Sequence, residues 1–240
     1  MLAKQPLVVC ALPLIGRVLG RLGAVEVDVL TREGEAVPSG TVLATVDGDA
    51  HALLGGERLL LNLLQHLTGI ATSTRACVER VRGSGLVVRD TRKTLPGLRL
   101  LAKYAVRTGG GTNHRLRLDD AILIKDNHLS LGGGDFDAAV RNARTRFPRL
   151  PLEIECATLD EVDRAVAAGP DLILLDNMSV ATMQQAVRRV AGRVPLEASG
   201  RVTADELPAV AACGVQFVAM GALTHSAPAA DLSFKLEPLV

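Results

Sequence analysis

The second half of this chain is a succession of short apolar runs, each closed by one or two polar residues. They are LVVRDT (86–91), AILIKD (121–126), LEIEC (152–156), LILLDN (172–177), PLEAS (195–199) and VQFVAMG (215–221). From the third run onward they recur about every 20 residues, the length of a βα unit. Strands that read as nearly continuous apolar runs are buried on both faces, as in parallel sheets. Six such units in a row predict an α/β fold, an incomplete parallel α/β barrel, with a doubly wound open sheet as the alternative. Two of the helices between runs are expected to open with capping boxes, Thr158-x-x-Glu161 and Thr203-x-x-Glu206.

The polar residues fall at one end of these strands. Arg92 and Lys93 follow the first, Lys125 ends the second, Glu155 the third and Asp176 the fourth. Ser199-Gly200 ends the fifth, and Gly221 and His225 follow the sixth. In an α/β barrel that end is the active-site face. A structural role is available for each residue alone, because a strand-end Asp can cap the next helix and a Lys can be solvated. The same placement at six strands points to a site. The glycine turns after the last two strands suit a phosphate, with backbone N–H groups and helix N-termini facing the anion.

Charge is concentrated in the same region. Residues 90–128 hold eight Lys/Arg against four Asp, in a chain with a formal net charge of +1. That overall balance argues against a broad phosphate-backbone footprint, and with no Trp, one Tyr and four Phe there are few platforms for single-stranded nucleic acid. No apolar run reaches membrane-spanning length. Cys10, Cys77, Cys156 and Cys213 show no paired spacing and read as reduced core residues of a cytoplasmic protein. The apolar start, KQPLVVCALPLIG, is read as a strand entering a helix rather than a signal peptide, since Arg17 follows it and no A-x-A site appears.

The first third is mixed. Residues 7–10, 24–30 and 41–47 read as strands, 49–66 and 72–81 as two helices, and Gly83 and Gly85 as the stop of the second. The expected organisation is a smaller N-terminal α+β sandwich-like domain over 1–68, joined by a C-terminal strand over 231–240, and a barrel domain over 69–230.

Arg92, His114, Arg115 and Lys125 can converge at one mouth of the barrel. Arg forks match planar carboxylates, and Lys adds a point charge. Glu155 and Asp176 would repel an acidic ligand, so they are assigned to sugar hydroxyls or Mg²⁺. The composite ligand is a planar polyacid beside a phosphorylated, metal-bound sugar. Lys125 alone would also fit a Schiff-base aldolase. The triple glycine Gly109–Gly111 before Asn113-His114-Arg115 fits a backbone that must approach a ligand closely.

The blocks DTRKTLPGLRLLAKYAVRTGGGTNHR, LDDAILIKDNH, LILLDN, EASG and GALTHSAPAADLS resemble the quinolinate phosphoribosyltransferase family of NAD biosynthesis, over essentially the whole chain. The resemblance implies a homodimer with shared active sites. It implies conversion of quinolinate and phosphoribosyl pyrophosphate to nicotinate mononucleotide, pyrophosphate and CO₂, with Mg²⁺. By motif it gives Arg92, His114, Arg115 and Lys125 to the quinolinate carboxylates and Lys93 to the phosphate or pyrophosphate groups. Glu155 and Asp176 go to the ribose hydroxyls and the metal, with Lys125, Glu155 and Asp176 as the catalytic set. Ser199, Gly200 and Gly221 go to the 5′-phosphate, with His225 near it, and Arg58 enters the partner subunit's site.

The pattern is not followed everywhere. Arg117 and Asp119 stand where the family has Gly and Tyr, and Arg201 stands where a second Gly is usual. Family members are expected to carry roughly forty further residues upstream, within a compact N-terminal domain. Two rivals share the motifs: a molybdenum-transport-associated paralogue, which should lack the Lys125 of IKDNH, and a non-catalytic truncated remnant.

Overall fold

The computed structural model describes residues 1–238. The chain begins with β1 (Leu2–Ala3), β2 (Leu7–Val8), α1 (Leu14–Leu19), β3 (Val25–Val29), β4 (Ala36–Val37) and β5 (Ala44–Gly48). β2 pairs antiparallel with β4, and β3 with β5 in a register running from Val25↔Gly48 to Val29↔Ala44. The three strands read from the sequence are therefore present, the first cut to two residues.

The two helices expected over 49–66 and 72–81 are one helix, α2 (Ala50–Arg80), of 31 residues. Gly69 does not break it, although Gly costs about 1 kcal/mol in a helix interior. A Cβ at Gly69 would lie 2.0 Å from the Pro228 carbonyl oxygen, so the glycine is there for close packing. The nearby hydroxyls are satisfied within the helix: Thr72 Oγ1 donates to Thr68 O at 2.7 Å and Thr74 Oγ1 to Ile70 O at 2.8 Å. Thr72 Oγ1 also accepts the Val8 N–H of β2. Leu60, Leu64, Leu67 and Ile70 form the helix's fully buried stripe, worth about 1.5–3 kcal/mol per large apolar side chain.

The chain continues through β6 (Val87–Arg89), α3 (Arg99–Thr108), β7 (Ile122–Ile124), α4 (Asp126–Leu131), α5 (Phe136–Arg146), β8 (Leu152–Cys156) and α6 (Leu159–Ala168). It then forms β9 (Leu172–Asp176), α7 (Val180–Val190), β10 (Leu196–Ser199), α8 (Leu207–Cys213), β11 (Phe217–Ala219), α9 (Ala222–His225) and β12 (Leu232–Ser233). Each of the six predicted barrel strands is present. The capping box at Thr158 holds, with Glu161 N–H on Thr158 Oγ1 and Glu161 Oε2 accepting from Thr158 N. The one expected at Thr203 does not open a helix. Glu206 folds back on Thr203 within a turn, and α8 begins after Glu206, with a proline in its first turn, where a missing N–H costs nothing.

Two compact units result. One contains Met1–Ala76, Thr94–Gly111 and Leu223–Val240; the other contains Cys77–Lys93 and Thr112–Ala222. α3 goes with the first because Ala102, Ala105 and Val106 are packed in the same core as Leu60, Leu64 and Ile70. β12, within the expected C-terminal strand, pairs antiparallel with β1; residues 239–240 lie outside the described residues.

The second unit is a six-stranded parallel sheet in the order β6-β11-β10-β9-β8-β7. Among the described residues β6 and β7 do not pair with each other, so the barrel is incomplete. Its register sorts chemistry by face. Glu155, Leu174, Glu197, Phe217 and Val87 stand in one row, and Asp176, Ser199, Ala219 and Arg89 in the row two residues further along. Because side chains alternate, the opposite face carries Ile154, Ile173, Leu196, Ala198 and Val218, all buried.

Candidate active site

The acidic pair is built by β8 and β9. Glu155 Oε2 takes the Lys125 ammonium at 2.5 Å, so the last polar groups of β7 and β8 are brought together. Lys125 keeps 43% of its side-chain surface exposed, which is not the desolvated setting of a Schiff-base lysine. Asp176 Oδ2 accepts from Asn177 Nδ2 at 2.6 Å. Both carboxylates therefore have one oxygen engaged by the protein, with Glu155 Oε1 and Asp176 Oδ1 as the oxygens that a hard cation would take.

A glycine turn follows β10. Asn177 is left-handed (φ 53) and donates its N–H to Ser199 O at 2.9 Å, which brings it under the turn. Gly200 has φ 97, and a Cβ there would lie 2.4 Å from Asn177 Oδ1 and 2.7 Å from Asn177 N. No other residue fits. Arg201 is also left-handed, at φ 50, a conformation that glycine adopts more readily, and its side chain is exposed. A cavity of about 200 Å³ is lined by Asn177, Ser179, Gly200 and Arg201, among others. Gly221 directly follows the loop that leaves β11.

The cationic group has a less expected arrangement. Burial, then the neighbouring Arg92, pulls the Arg115 guanidinium below its ordinary pKa, so the two forks share one field. Lys93 follows in the same loop, where its N–H meets Thr91 Oγ1. Arg115 donates to Ala121 O at 3.0 Å and lines a cavity of about 390 Å³ with Arg89, His114 and Glu153. The wall of that cavity includes Ile122, Leu152 and Leu172, which begin β7, β8 and β9. His114 does not present an unengaged ring edge. Its Nδ1 accepts the Arg115 N–H at 2.8 Å, and its Nε2 lies 2.9 Å from Glu153 Oε2 and 3.4 Å from Glu197 Oε1.

Glu153, Glu197, Arg89 and the fully buried Asp90 were not singled out from the sequence. The signal was available. In LEIEC and PLEAS, period-two alternation puts Glu153 on the face of Glu155 and Glu197 on the face of Ser199. His114, Glu153 and Glu197 also form a grouping of potential metal donors, with ligand atoms within 4.8 Å of one another. It is buried and includes an imidazole, whereas Mg²⁺ prefers oxygen ligands and retains waters. The acids at the strand ends suit that ion better.

Arg58 and His225 belong to the other unit. Arg58 is exposed on α2 between the exposed Leu54 and Leu59, and His225, also exposed, pairs with Ser226 Oγ through Nδ1.

The chain matches the family model described as quinolinate phosphoribosyl transferase, N-terminal domain, over residues 1–68, and the corresponding C-terminal domain over 70–235. It is 48% identical to a nicotinate-nucleotide pyrophosphorylase (carboxylating) of Mycobacterium leprae, over 85% of this chain and 72% of that protein. It is 44% identical to a probable nicotinate-nucleotide pyrophosphorylase (carboxylating) of Synechocystis, over 98% and 81%. Its fold matches the crystal structure of NadC from Streptococcus pyogenes with a TM-score of 0.92 at 39% identity, covering 98% of this chain and 83% of that one.

Proposed function

The chain belongs to the quinolinate phosphoribosyltransferase family, and from that premise we propose that it joins quinolinate to phosphoribosyl pyrophosphate, releasing nicotinate mononucleotide, pyrophosphate and CO₂. The observation that carries this reading is the gathering of basic loops and polar strand ends within one unit. Arg92 and Lys93 lie in the loop after β6 and Arg115 in the loop between α3 and β7, while Glu155, Asp176 and Ser199 stand at or next to the ends of β8, β9 and β10. A dianionic ring and a sugar phosphate need both kinds of group.

In this reading Arg92, Arg115 and Lys125 neutralise the two ring carboxylates, with His114 at the same subsite. Each charge-assisted hydrogen bond is worth about 1.5–3 kcal/mol. Ser199, Gly200 and Gly221 cradle the 5′-phosphate through the turn that Asn177 supports, and Lys93 meets the pyrophosphate. Glu155 and Asp176 hold the ribose hydroxyls. They also fit Mg²⁺, which when bound supplies positive charge against the leaving pyrophosphate.

The ring nitrogen's lone pair forms the bond to the anomeric carbon as the carbon–pyrophosphate bond breaks and pyrophosphate leaves with its electron pair. The ring nitrogen is then cationic. The adjacent carbon–carboxylate bond breaks, CO₂ departs, and the electron pair left on the ring carbon takes up a proton. The cations around the ring lower the cost of assembling two anionic substrates in one place. This chemistry requires no covalent nucleophile.

Arg58 and His225 enter the proposal by resemblance alone, Arg58 as a residue that serves the partner subunit of a homodimer. The four cysteines are free and buried, which fits the reducing cytoplasm, and no helix among the described residues is long and apolar enough to cross a membrane. The test is incubation with quinolinate, phosphoribosyl pyrophosphate and Mg²⁺. Equal amounts of nicotinate mononucleotide, pyrophosphate and CO₂ are expected, and absence of all three overturns the reading.

A further inference from the structure

The reaction proposed above assigns no role to the most buried acids of the sheet. Glu153 is 6% exposed and Glu197 has no exposed surface. Both lie on the sheet face that carries Glu155 and Ser199, each two residues before one of these site residues. Glu197 Oε2 is held by Arg89 at 2.7 Å, and Arg89 in turn stacks 4.7 Å from the centre of the Phe217 ring. Glu153 is balanced differently, through the charge of the neighbouring Arg115. Its Oε2 faces His114 Nε2, and its Oε1 has no hydrogen-bond partner.

His114 is fixed at three points. Asp90 Oδ1 accepts the His114 backbone N–H at 2.8 Å, Nδ1 accepts the Arg115 N–H, and Nε2 meets Glu153. An atom that accepts an N–H has its lone pair in that bond. The ring proton therefore belongs on Nε2, where a carboxylate receives it. The same residue joins three parts of the site: the loop that leads through Asp90 to Arg92, the backbone of Arg115, and the strand that carries Glu155.

We propose that Glu153, backed by Glu197 and Arg89, is a positioning residue for the dicarboxylate subsite: it holds the His114 imidazole with its proton on Nε2 and thereby sets the backbone from which Arg115 reaches the ring carboxylates. This deepens the proposed function and rests on it for its substrate. Arg89 faces Glu197, and the Arg115 charge acts on Glu153. The alternative role for Glu153, background negative charge, has the opposite sign. Removing a negative charge near a dianion's subsite would tighten binding, whereas losing the position of His114 and Arg115 weakens it.

The experiment compares Glu153→Leu, which removes the acceptor, with Glu153→Gln, which keeps an acceptor and loses the charge. Glu153→Leu is expected to raise the quinolinate KM by about tenfold or more, the effect of losing a charge-assisted hydrogen bond. The KM for phosphoribosyl pyrophosphate should stay within about twofold, and Glu153→Gln should recover most of the loss. In ¹⁵N-histidine NMR at neutral pH, His114, assigned with His114→Asn, should be protonated on Nε2 in the unmodified protein and should lose that fixed tautomer in Glu153→Leu. The proposal is overturned if both variants lower the quinolinate KM, if the two KM values rise together, or if His114 carries its proton on Nδ1. If Glu153→Leu does not fold, Glu153→Gln and the tautomer of the unmodified protein decide. Absence of turnover in the unmodified protein would sink the substrate assignment, and the NMR measurement would still judge the His114 arrangement.

Discussion

Glu197 has no solvent exposure, and burial, followed by the Glu153 carboxylate, pushes its pKa from 4.5 up to about 7. His114 and Arg89 face it and pull the other way. A carboxyl whose pKa is raised on folding is protonated in both states at low pH and contributes no penalty there. As pH rises from 4.5 to about 7 the unfolded chain loses its proton while the native one keeps it, so the folded state weakens; above that window the full cost of the buried charge is present. Urea denaturation at fixed ionic strength should therefore show the native chain losing stability relative to Glu197→Gln across this window. Parallel curves for the two would mean that Glu197 is ionised throughout. Gly200 makes a second residue-scale prediction. Its φ of 97 and the 2.4 Å approach of Asn177 Oδ1 leave no space for a methyl group. Gly200→Ala should cost about 1–3 kcal/mol of stability and raise the KM for phosphoribosyl pyrophosphate more than that for quinolinate; equal effects on both would detach the turn from the phosphate. The sequence marked Gly200 through the EASG block, but not Asn177, whose part depends on a side chain tucked under the next strand's turn.

At the scale of elements, what could be read from the sequence was what depends on local periodicity. All six parallel strands were visible as apolar runs, because a strand buried on both faces has little choice of composition. Their polar ends were visible for the same reason in reverse. α2 was read as two helices, over 49–66 and 72–81; Gly69 lies between them, a weak point by propensity, and its close contact is with Pro228, about 160 residues away. Long-range partners of that kind leave no local trace. The same holds for Glu153 and Glu197, which the alternation placed on the polar face but whose convergence on His114 depends on the sheet register. Gly69→Ala tests the α2 account with a clear sign. Helix propensity alone predicts stabilisation by about 1 kcal/mol. A Cβ 2.0 Å from a carbonyl oxygen predicts the reverse, about 1–3 kcal/mol of destabilisation from overpacking. Thermal unfolding of the variant, with the measured shift up or down, decides between them.

At the scale of the whole molecule, the chain presents two compact units, and the residues assigned to the reaction are not all in one of them. Arg92, His114, Arg115, Lys125, Glu155, Asp176 and Ser199 belong to the sheet unit, whereas Arg58 lies on α2. Arg58 is exposed, near Leu54 and Leu59, which are exposed by 62% and 57%. If Arg58 completes the partner subunit's site, Arg58→Ala and Arg92→Ala should each be inactive as homodimers, for different reasons. Mixed and allowed to exchange subunits, half the dimers become mixed. In each of these, one site combines an intact Arg92 with an intact Arg58 from the other subunit, and the second site lacks both. The recovered activity should therefore approach about one quarter of the unmodified protein's, a value set by the two-fold symmetry alone. A mixture that stays inactive after native mass spectrometry has shown exchange would place Arg58 in its own subunit's chemistry or outside the reaction.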